Sequence, residues 1–111
     1  MPAAIMLSVQ GTLPTAKAAL YTSPAAPALG TYIKYFHVFV AAGAATQTVE
    51  LWIKRASGTS HELVNVPLDA KESGDIVSEG ESLLLGPGDA IEGQATTVST
   101  VKFTIQALEE S

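Results

Sequence analysis

The stretch LLLGPGDAIEGQA, from Leu83 to Ala95, decides the fold class. Three leucines run into Gly86-Pro87-Gly88, and a second alternation of apolar and polar residues begins at Asp89. Because proline fixes φ and glycine tolerates a positive φ, the segment predicts a strand, a tight corner and a second strand. Gly93, inside the second strand, predicts a bulge or a close approach of the backbone to its neighbours.

Short alternating segments of this kind recur along the whole chain. The strongest is TYIKYFHVFV (Thr31–Val40), and we expect it to pair as a hairpin with TQTVELWIKR (Thr46–Arg55). Strands spaced by about ten residues are typical of sandwiches and barrels. The pattern therefore predicts an all-β fold, a single antiparallel β-sandwich domain over residues 1–111, jelly-roll-like, with about eight or nine short strands. The side chains expected in its core are Val49, Leu51, Ile53, Val101, Phe103 and Ile105.

Composition excludes several classes of function. The chain has no cysteine, which removes disulfides, thiolate nucleophiles and cysteine-based zinc sites. Six scattered basic residues against eleven acidic ones give a net charge of −5, so we expect no nucleic-acid binding. No apolar run reaches the ~18 residues of a membrane span, and the first ten residues lack the basic region of a signal peptide. We therefore expect no membrane association.

Charge is distributed unevenly along the chain. Residues 1–49 contain no Asp or Glu, and only Lys17 and Lys34 are charged there. A free monomer normally needs surface charge for solubility. Two explanations stay open: Ser, Thr, Gln and Ala coat this half of the surface, or another subunit covers part of it.

The titratable residues do not form a recognisable catalytic or metal-binding pattern. His37 lies in the middle of a strand, where we expect a packed core or interface residue, and His61 follows a turn and is expected to be solvated. Asp69–Asp75 supplies acidic residues without the spacing of a calcium loop. We therefore predict a protein that is not an enzyme, with no catalytic residue, metal or cofactor and without a small-molecule ligand.

Apolar side chains at strand positions define a candidate partner interface. Read with a strict period of two, Thr31–Val40 is apolar on both faces, with Tyr32 and Phe36 together on one of them. A sandwich strand usually has one wet face, so the second face is covered within the domain or by a partner. Trp52 either lies across neighbouring strands under the stem of Lys54, or contacts a partner, or stacks on a sugar. The predicted interface residues are Ile5, Leu7, Val9, Tyr32, Phe36 and Trp52.

The first ten residues, MPAAIMLSVQ, place Ile5, Leu7 and Val9 on one face and carry no charge. An extended apolar segment of this kind can form the first strand of its own sandwich. It can equally act as an assembly arm that adds a strand to a neighbouring sheet. Both alternatives predict that the segment is ordered and at least partly buried.

Two stretches of the chain carry a resemblance: the first is LYTSPA followed by a long strand, AAGAAT and VELWI, and the second is SLLLGPGDAIEGQATTVSTVKFTI. In these two stretches the chain resembles small all-β virion proteins of tailed bacteriophages. The resemblance covers most of the segment from Leu20 to Ile105 and includes no active-site signature. Such proteins include jelly-roll or Ig-like capsid decoration and cement proteins. The resemblance implies a location on the virion capsid surface after synthesis in the host cytoplasm, with the major capsid protein as partner and a homo-oligomeric state.

Two functions of different classes therefore stay open. The first is a non-enzymatic structural protein that binds and stabilises a bacteriophage capsid as a decoration or cement protein. The alternative is a carbohydrate-binding module, or a tail or head-fibre module, for host attachment, in which Trp52, Tyr32 and Tyr35 would stack on sugars.

Overall fold

A computed structural model describes residues 4–78, 80–97 and 99–110 of the chain. All described strand pairings are antiparallel, and the strands form two sheets. The nine strands within these residues are β1 Ala4–Thr12, β2 Ala18–Thr22, β3 Gly30–Val40, β4 Gln47–Lys54, β5 Ser60–Leu68, β6 Ser73–Val77, β7 Leu83–Leu85, β8 Ala90–Gln94 and β9 Val101–Glu110.

The strand order is that of a jelly roll. Sheet I runs β1-β9-β3-β6 with the short β7 beside β3, and sheet II runs β2-β8-β4-β5. The two sheets enclose a core to which both contribute, as in other double-sheet jelly rolls. The predicted all-β sandwich with eight or nine strands is confirmed. Of the N-terminal segment, residues 4–10 belong to β1, which pairs with β9 of the same chain, and residues 1–3 lie outside the described residues.

The predicted hairpin between the two strongest strands is wrong. β3 pairs with β9, β6 and β7 in sheet I, whereas β4 pairs with β5 and β8 in sheet II. Stacked sheets lie about 10 Å apart, and the six residues between Val40 and Gln47 are enough to cross that gap. Each strand thus buries its apolar face against the other sheet. β3 pairs with strands distant in the sequence, whereas β4 pairs with the adjacent β5 and the distant β8.

A bulge in β3 changes which of its residues face the core. The register between β3 and β9 shifts between Ile33 and Tyr35, so Lys34 is the extra residue. Thr31 and Ile33 are buried before the shift, and Phe36 is buried after it. A bulge of one residue exchanges the two faces of a strand with a period of two. Tyr32 and Phe36 therefore lie on opposite faces, and the prediction that they share one is wrong.

The core follows the sequence pattern closely in the other strands. All six residues predicted to be buried are buried, with Phe103 the most exposed of them at 6%. Gly93 is required by close packing, because an added Cβ would lie 2.8 Å from Leu51 Cδ2 and 3.0 Å from Leu20 Cδ1. The close approach predicted at Gly93 is confirmed.

Candidate functional site

A row of apolar side chains crosses the outer face of sheet I at one end. In the strand register, Met6 of β1 lies opposite Leu108 of β9, Leu108 opposite Tyr32 of β3, and Tyr32 opposite Leu84 of β7. Their neighbours along the strands, such as Ile33 and Ala107, are buried, so these four side chains point away from the core. Side chains directly opposite each other on one face are in contact range, and the row is therefore continuous.

Four of the six large apolar side chains that are exposed among the described residues gather at this end. Met6 and Leu84, at the two extremes of the row, are 61% and 55% exposed. Ile5, on the other face of β1 from Met6, lies opposite Glu109, and the Leu29 amide donates to the Glu110 carbonyl, so both exposed residues lie at the same end of sheet I. We call this surface the apolar end; it consists of Ile5, Met6, Leu29, Tyr32, Leu84 and Leu108.

A buried polar cluster closes the core behind the apolar end. The Tyr21 hydroxyl donates to the Glu109 carboxylate and lies 3.0 Å from the Thr31 hydroxyl oxygen, which is 2.8 Å from that of Ser23. Burial, and then the hydrogen bond to Glu109, raise the pKa of Tyr21 to about 12, so this hydroxyl stays protonated as a donor at neutral pH. The cluster links β2 of sheet II to β3 and β9 of sheet I and fixes the position of the strands that carry the row.

The corner at Asp89 adds a second link. Its carboxylate accepts hydrogen bonds from the amides of Gly86 and Ala56, at 2.9 and 2.8 Å, and from the Arg55 guanidinium at 2.7 Å. Burial acts to raise the pKa of Asp89, but these hydrogen bonds and the Arg55 charge outweigh it and hold the pKa below its ordinary value. The Asp89 carbonyl accepts from the Ser23 amide, so the corner is joined to the polar cluster.

The residues of the predicted interface lie in four environments, three of them in sheet I and the fourth, that of Trp52, on sheet II. Ile5 and Tyr32 belong to the apolar end. Leu7 and Val9 are half-buried and pack against the core. Phe36 is fully buried, and its place in a partner interface is corrected, because the bulge at Lys34 turns it inward.

The sequence reading missed four members of the apolar end: Met6, Leu29, Leu84 and Leu108. Met6 and Leu108 fall on the face that strict alternation leaves for polar residues. The signal that could have found them is their outward position in β1 and β9, but it becomes useful only when the strand register is known.

Trp52 lies on the outer face of sheet II, away from the apolar end. The Lys17 Nζ stands 4.4 Å from its ring centroid, and the same nitrogen is 3.7 Å from Glu92 Oε1. Lys17 thus takes the covering position that the sequence reading assigned to the Lys54 stem. A ring under a paired ammonium presents less free area for stacking on a sugar.

The two histidines lie in different sheets. His37, half-buried on β3, has its Nδ1 2.6 Å from Asp75 Oδ1 and stacks against Tyr35 with ring centroids 5.8 Å apart. His61 is exposed on β5. Within residues 4–78, 80–97 and 99–110 there is no group of three or more His, Asp or Glu side chains placed to hold a metal ion. The same residues include no helix with the length and hydropathy needed to cross a membrane.

Comparison with known proteins finds solved structures that share the fold of this chain. No protein-family model matches the chain, and no curated protein matches it. A chain of the disulfide-linked pili formed by Bacillus endospore appendages is similar with a TM-score of 0.58 at 12% identity, over 97% of this chain and 87% of that one. A chain of the T13 particle of infectious bursal disease virus is similar with a TM-score of 0.55 at 9% identity, over 98% of this chain and 30% of that one.

At these identities the similarity shows the fold alone. The chain spans under a third of the viral protein, so the match there is to one part of a larger subunit. This chain has no cysteine and cannot form the disulfide links of the pilus. The jelly roll is thus shared with a pilus protein and a viral particle protein, and the connection to tailed bacteriophages rests on the sequence resemblance.

Proposed function

We propose that the protein is a non-enzymatic structural subunit of a virion, and that it binds the major capsid protein of a tailed bacteriophage as a decoration protein on the capsid surface. The observation that carries the proposal is the apolar end. A contiguous apolar patch that is exposed on a soluble protein commonly marks a site of interaction with another molecule. The partner and the location come from the sequence resemblance, and the fold shared with a viral particle protein is compatible with both.

The architecture behind the apolar end supports binding of a rigid partner. The side chains of the row stand on paired strands and not on loops, so the backbone that carries them loses little conformational freedom when the row is covered. The two sheets are held together at the same end by the Tyr21–Glu109 contact and by the Asp89 carboxylate, which accepts from the Gly86 amide after β7 and from Arg55 after β4. A surface that is already fixed in position binds with a smaller entropic cost than a flexible one.

The test compares two single substitutions on the same face of sheet I. Leu84→Gln removes an exposed apolar side chain from the apolar end, and Phe39→Gln removes one, 38% exposed, from the opposite end of the same face. Virus particles are purified on a density gradient from cells that produce each variant, and the bound chain is quantified with an antibody. We expect wild type and Phe39→Gln to travel with the particles, and Leu84→Gln to fall at least about tenfold, as a loss of about 1.4 kcal/mol would give.

Two results would overturn the proposal. One is wild-type protein that stays out of the particle fraction altogether. The other is equal retention of Leu84→Gln and Phe39→Gln, which would show that the apolar end does not make the contact. Circular dichroism and melting temperature of the purified variants establish that both remain folded.

A further inference from the structure

The open edge of β1 carries a second interaction surface, which adjoins the apolar end and shares Ile5 and Met6 with it. β1 is nine residues long and pairs on one side with β9, and it forms the end of sheet I. Edge strands are normally protected from pairing by charges, proline, bulges or short length. β1 contains no charged residue and no proline, and its register with β9 runs without a shift.

The other sheet edges are protected in these ways. In sheet II, β5 carries Glu62 and Pro67, and β2 has only five residues and a register shift. In sheet I, the far edge is formed by β6, five residues long with Asp75, and by β7 with three. Among the described strands, β1 is therefore the long edge that lacks protection.

The hydrogen-bonding direction of β1 follows from one bond beside it. The Leu13 amide donates to the Val101 carbonyl at 2.8 Å, and this pair continues the register of β1 with β9. In an antiparallel ladder such pairs alternate, so odd-numbered residues of β1 bond to β9. The amides and carbonyls of Met6, Ser8, Gln10 and Thr12 consequently point outward along the free edge.

We propose that this edge pairs with the same edge of a second copy, antiparallel and about a twofold axis at Ser8. In that register Ser8 lies opposite Ser8 of the other copy, Met6 opposite Gln10, and Leu7 opposite Val9. The outward backbone groups of both strands are then satisfied by up to about ten hydrogen bonds. The two copies of sheet I become one continuous sheet.

The side chains of β1 fit a copy of themselves in this register. Ile5, 61% exposed, lies opposite Gly11 of the other copy, where it meets no side chain of residue 11 itself. An added Cβ at Gly11 would lie 3.1 Å from the Phe103 ring, so this position stays small. The absence of charge on β1 also matters, because two molecules of net charge −5 meet there without a direct like-charge contact.

Single-cysteine variants test the register directly, since the chain has no cysteine of its own. Ser8→Cys places the two sulfurs on residues that face each other across the axis, with Cα atoms about 5.5 Å apart, within the range of a disulfide. Thr12→Cys, on the same strand and face, places them roughly 27 Å apart at 3.4 Å per residue. Under mild oxidation we expect Ser8→Cys to form covalent dimers at least about tenfold faster than Thr12→Cys.

Charge substitutions at the axis give an independent readout by native mass spectrometry. Ser8→Lys and Ser8→Asp each place like charges opposite each other, so each should be monomeric where wild type is dimeric, and mixing them should restore a heterodimer. Gln106→Lys puts the same charge on the neighbouring strand and face, and it should leave the dimer intact. The dimer does not depend on the proposed capsid contact, because Leu84→Gln should remain dimeric.

Three outcomes would overturn the pairing of two β1 edges. Wild type that stays monomeric at all concentrations shows that the edge is unused. Equal cross-linking of Ser8→Cys and Thr12→Cys shows contact without this register. Open-ended chains of subunits in place of dimers show that β1 pairs with a different edge or with another protein's strand.

Discussion

The outer faces of the two sheets differ in how far neighbouring side chains cover their aromatic and apolar residues. On sheet II, Lys17 covers the Trp52 ring and is itself paired with Glu92. On sheet I, Lys34 approaches only the Tyr32 ring, at 5.4 Å, and its Nζ also donates to the Ser82 hydroxyl at 3.0 Å. Met6 and Leu84, at the extremes of the same row, have no comparable cover and remain more than half exposed.

The difference shows why a single exposed aromatic ring is weaker evidence of a binding site than a row of aliphatic side chains. A ring has an electron-rich face on which a neighbouring cation can rest, so a chain can satisfy it alone. Aliphatic side chains attract no polar cover and are stabilised only when water is removed from them. The apolar end is therefore a better candidate interface than Trp52, although Trp52 is the more conspicuous residue in the sequence.

The largest expected effect tests which side of sheet I carries Tyr32. Phe36→Ala removes a fully buried ring and should lower the free energy of unfolding by about 3–5 kcal/mol, as for other core aromatics. Tyr32→Ala removes a half-exposed ring from the outer face and a contact with Lys34, so its cost should be about 1 kcal/mol. Urea denaturation of both variants measures the difference. Equal costs would mean that the bulge at Lys34 is absent and that both rings share one face.

The next effect concerns the corner that supports the apolar end. Asp89→Ala leaves the Gly86 and Ala56 amides and Arg55 without their acceptor, and it should cost about 2–3 kcal/mol. The pKa of Asp89 is lowered in the folded state, so its contribution is complete above the ordinary value of 3.8 and is lost as the pH falls through the folded value.

The pH dependence of the stability of Asp89→Ala tests whether the loss comes from the ionised carboxylate. We expect the difference in stability between wild type and Asp89→Ala to be constant at neutral pH and to shrink below pH 3.8. Arg55→Met keeps the amide bonds and should cost less than Asp89→Ala. A difference that persists unchanged in acid would show that the carboxylate is not the acceptor.

Sequence reasoning predicted the β-sandwich and its core because the pattern that indicates them lies within single strands. In β4 and β9 the apolar residues alternate without interruption, so Val49, Leu51, Phe103 and Ile105 could be assigned to the core from spacing alone. The same rule failed in β3, where one inserted residue at Lys34 exchanges the faces. Nothing in the letters TYIKYF marks the bulge, which arises from the pairing with β9.

The pairing of the strands could not be predicted from the sequence for a related reason. The hairpin predicted between β3 and β4 assumed that these two consecutive strands pair, but in this fold they lie in opposite sheets. Ile5 and Tyr32 were found because they are large and apolar. Leu84 and Leu108 were missed because their position beside Tyr32 is created by strands far apart in the chain.

The smallest expected effect tests the cover over Trp52 on sheet II. Because Trp52 is the only tryptophan, its fluorescence reports on this site alone. Lys17→Ala uncovers the ring and should shift the emission to longer wavelength, with a loss of stability of about 0.5–1 kcal/mol. Lys17→Met retains a long apolar side chain over the ring and loses only the charge, so its emission should stay near that of wild type.

Salt separates the electrostatic part of this contact from the packing part. The Lys17 side chain is 35% exposed, so its ion pair with Glu92 is screened and its share of the stability is small. The cost of Lys17→Met should therefore shrink in molar salt, while that of Lys17→Ala keeps the part due to lost packing. If Lys17→Ala changed neither the emission nor the stability, Trp52 would be as uncovered as the apolar end, and the contrast between the two outer faces would not hold.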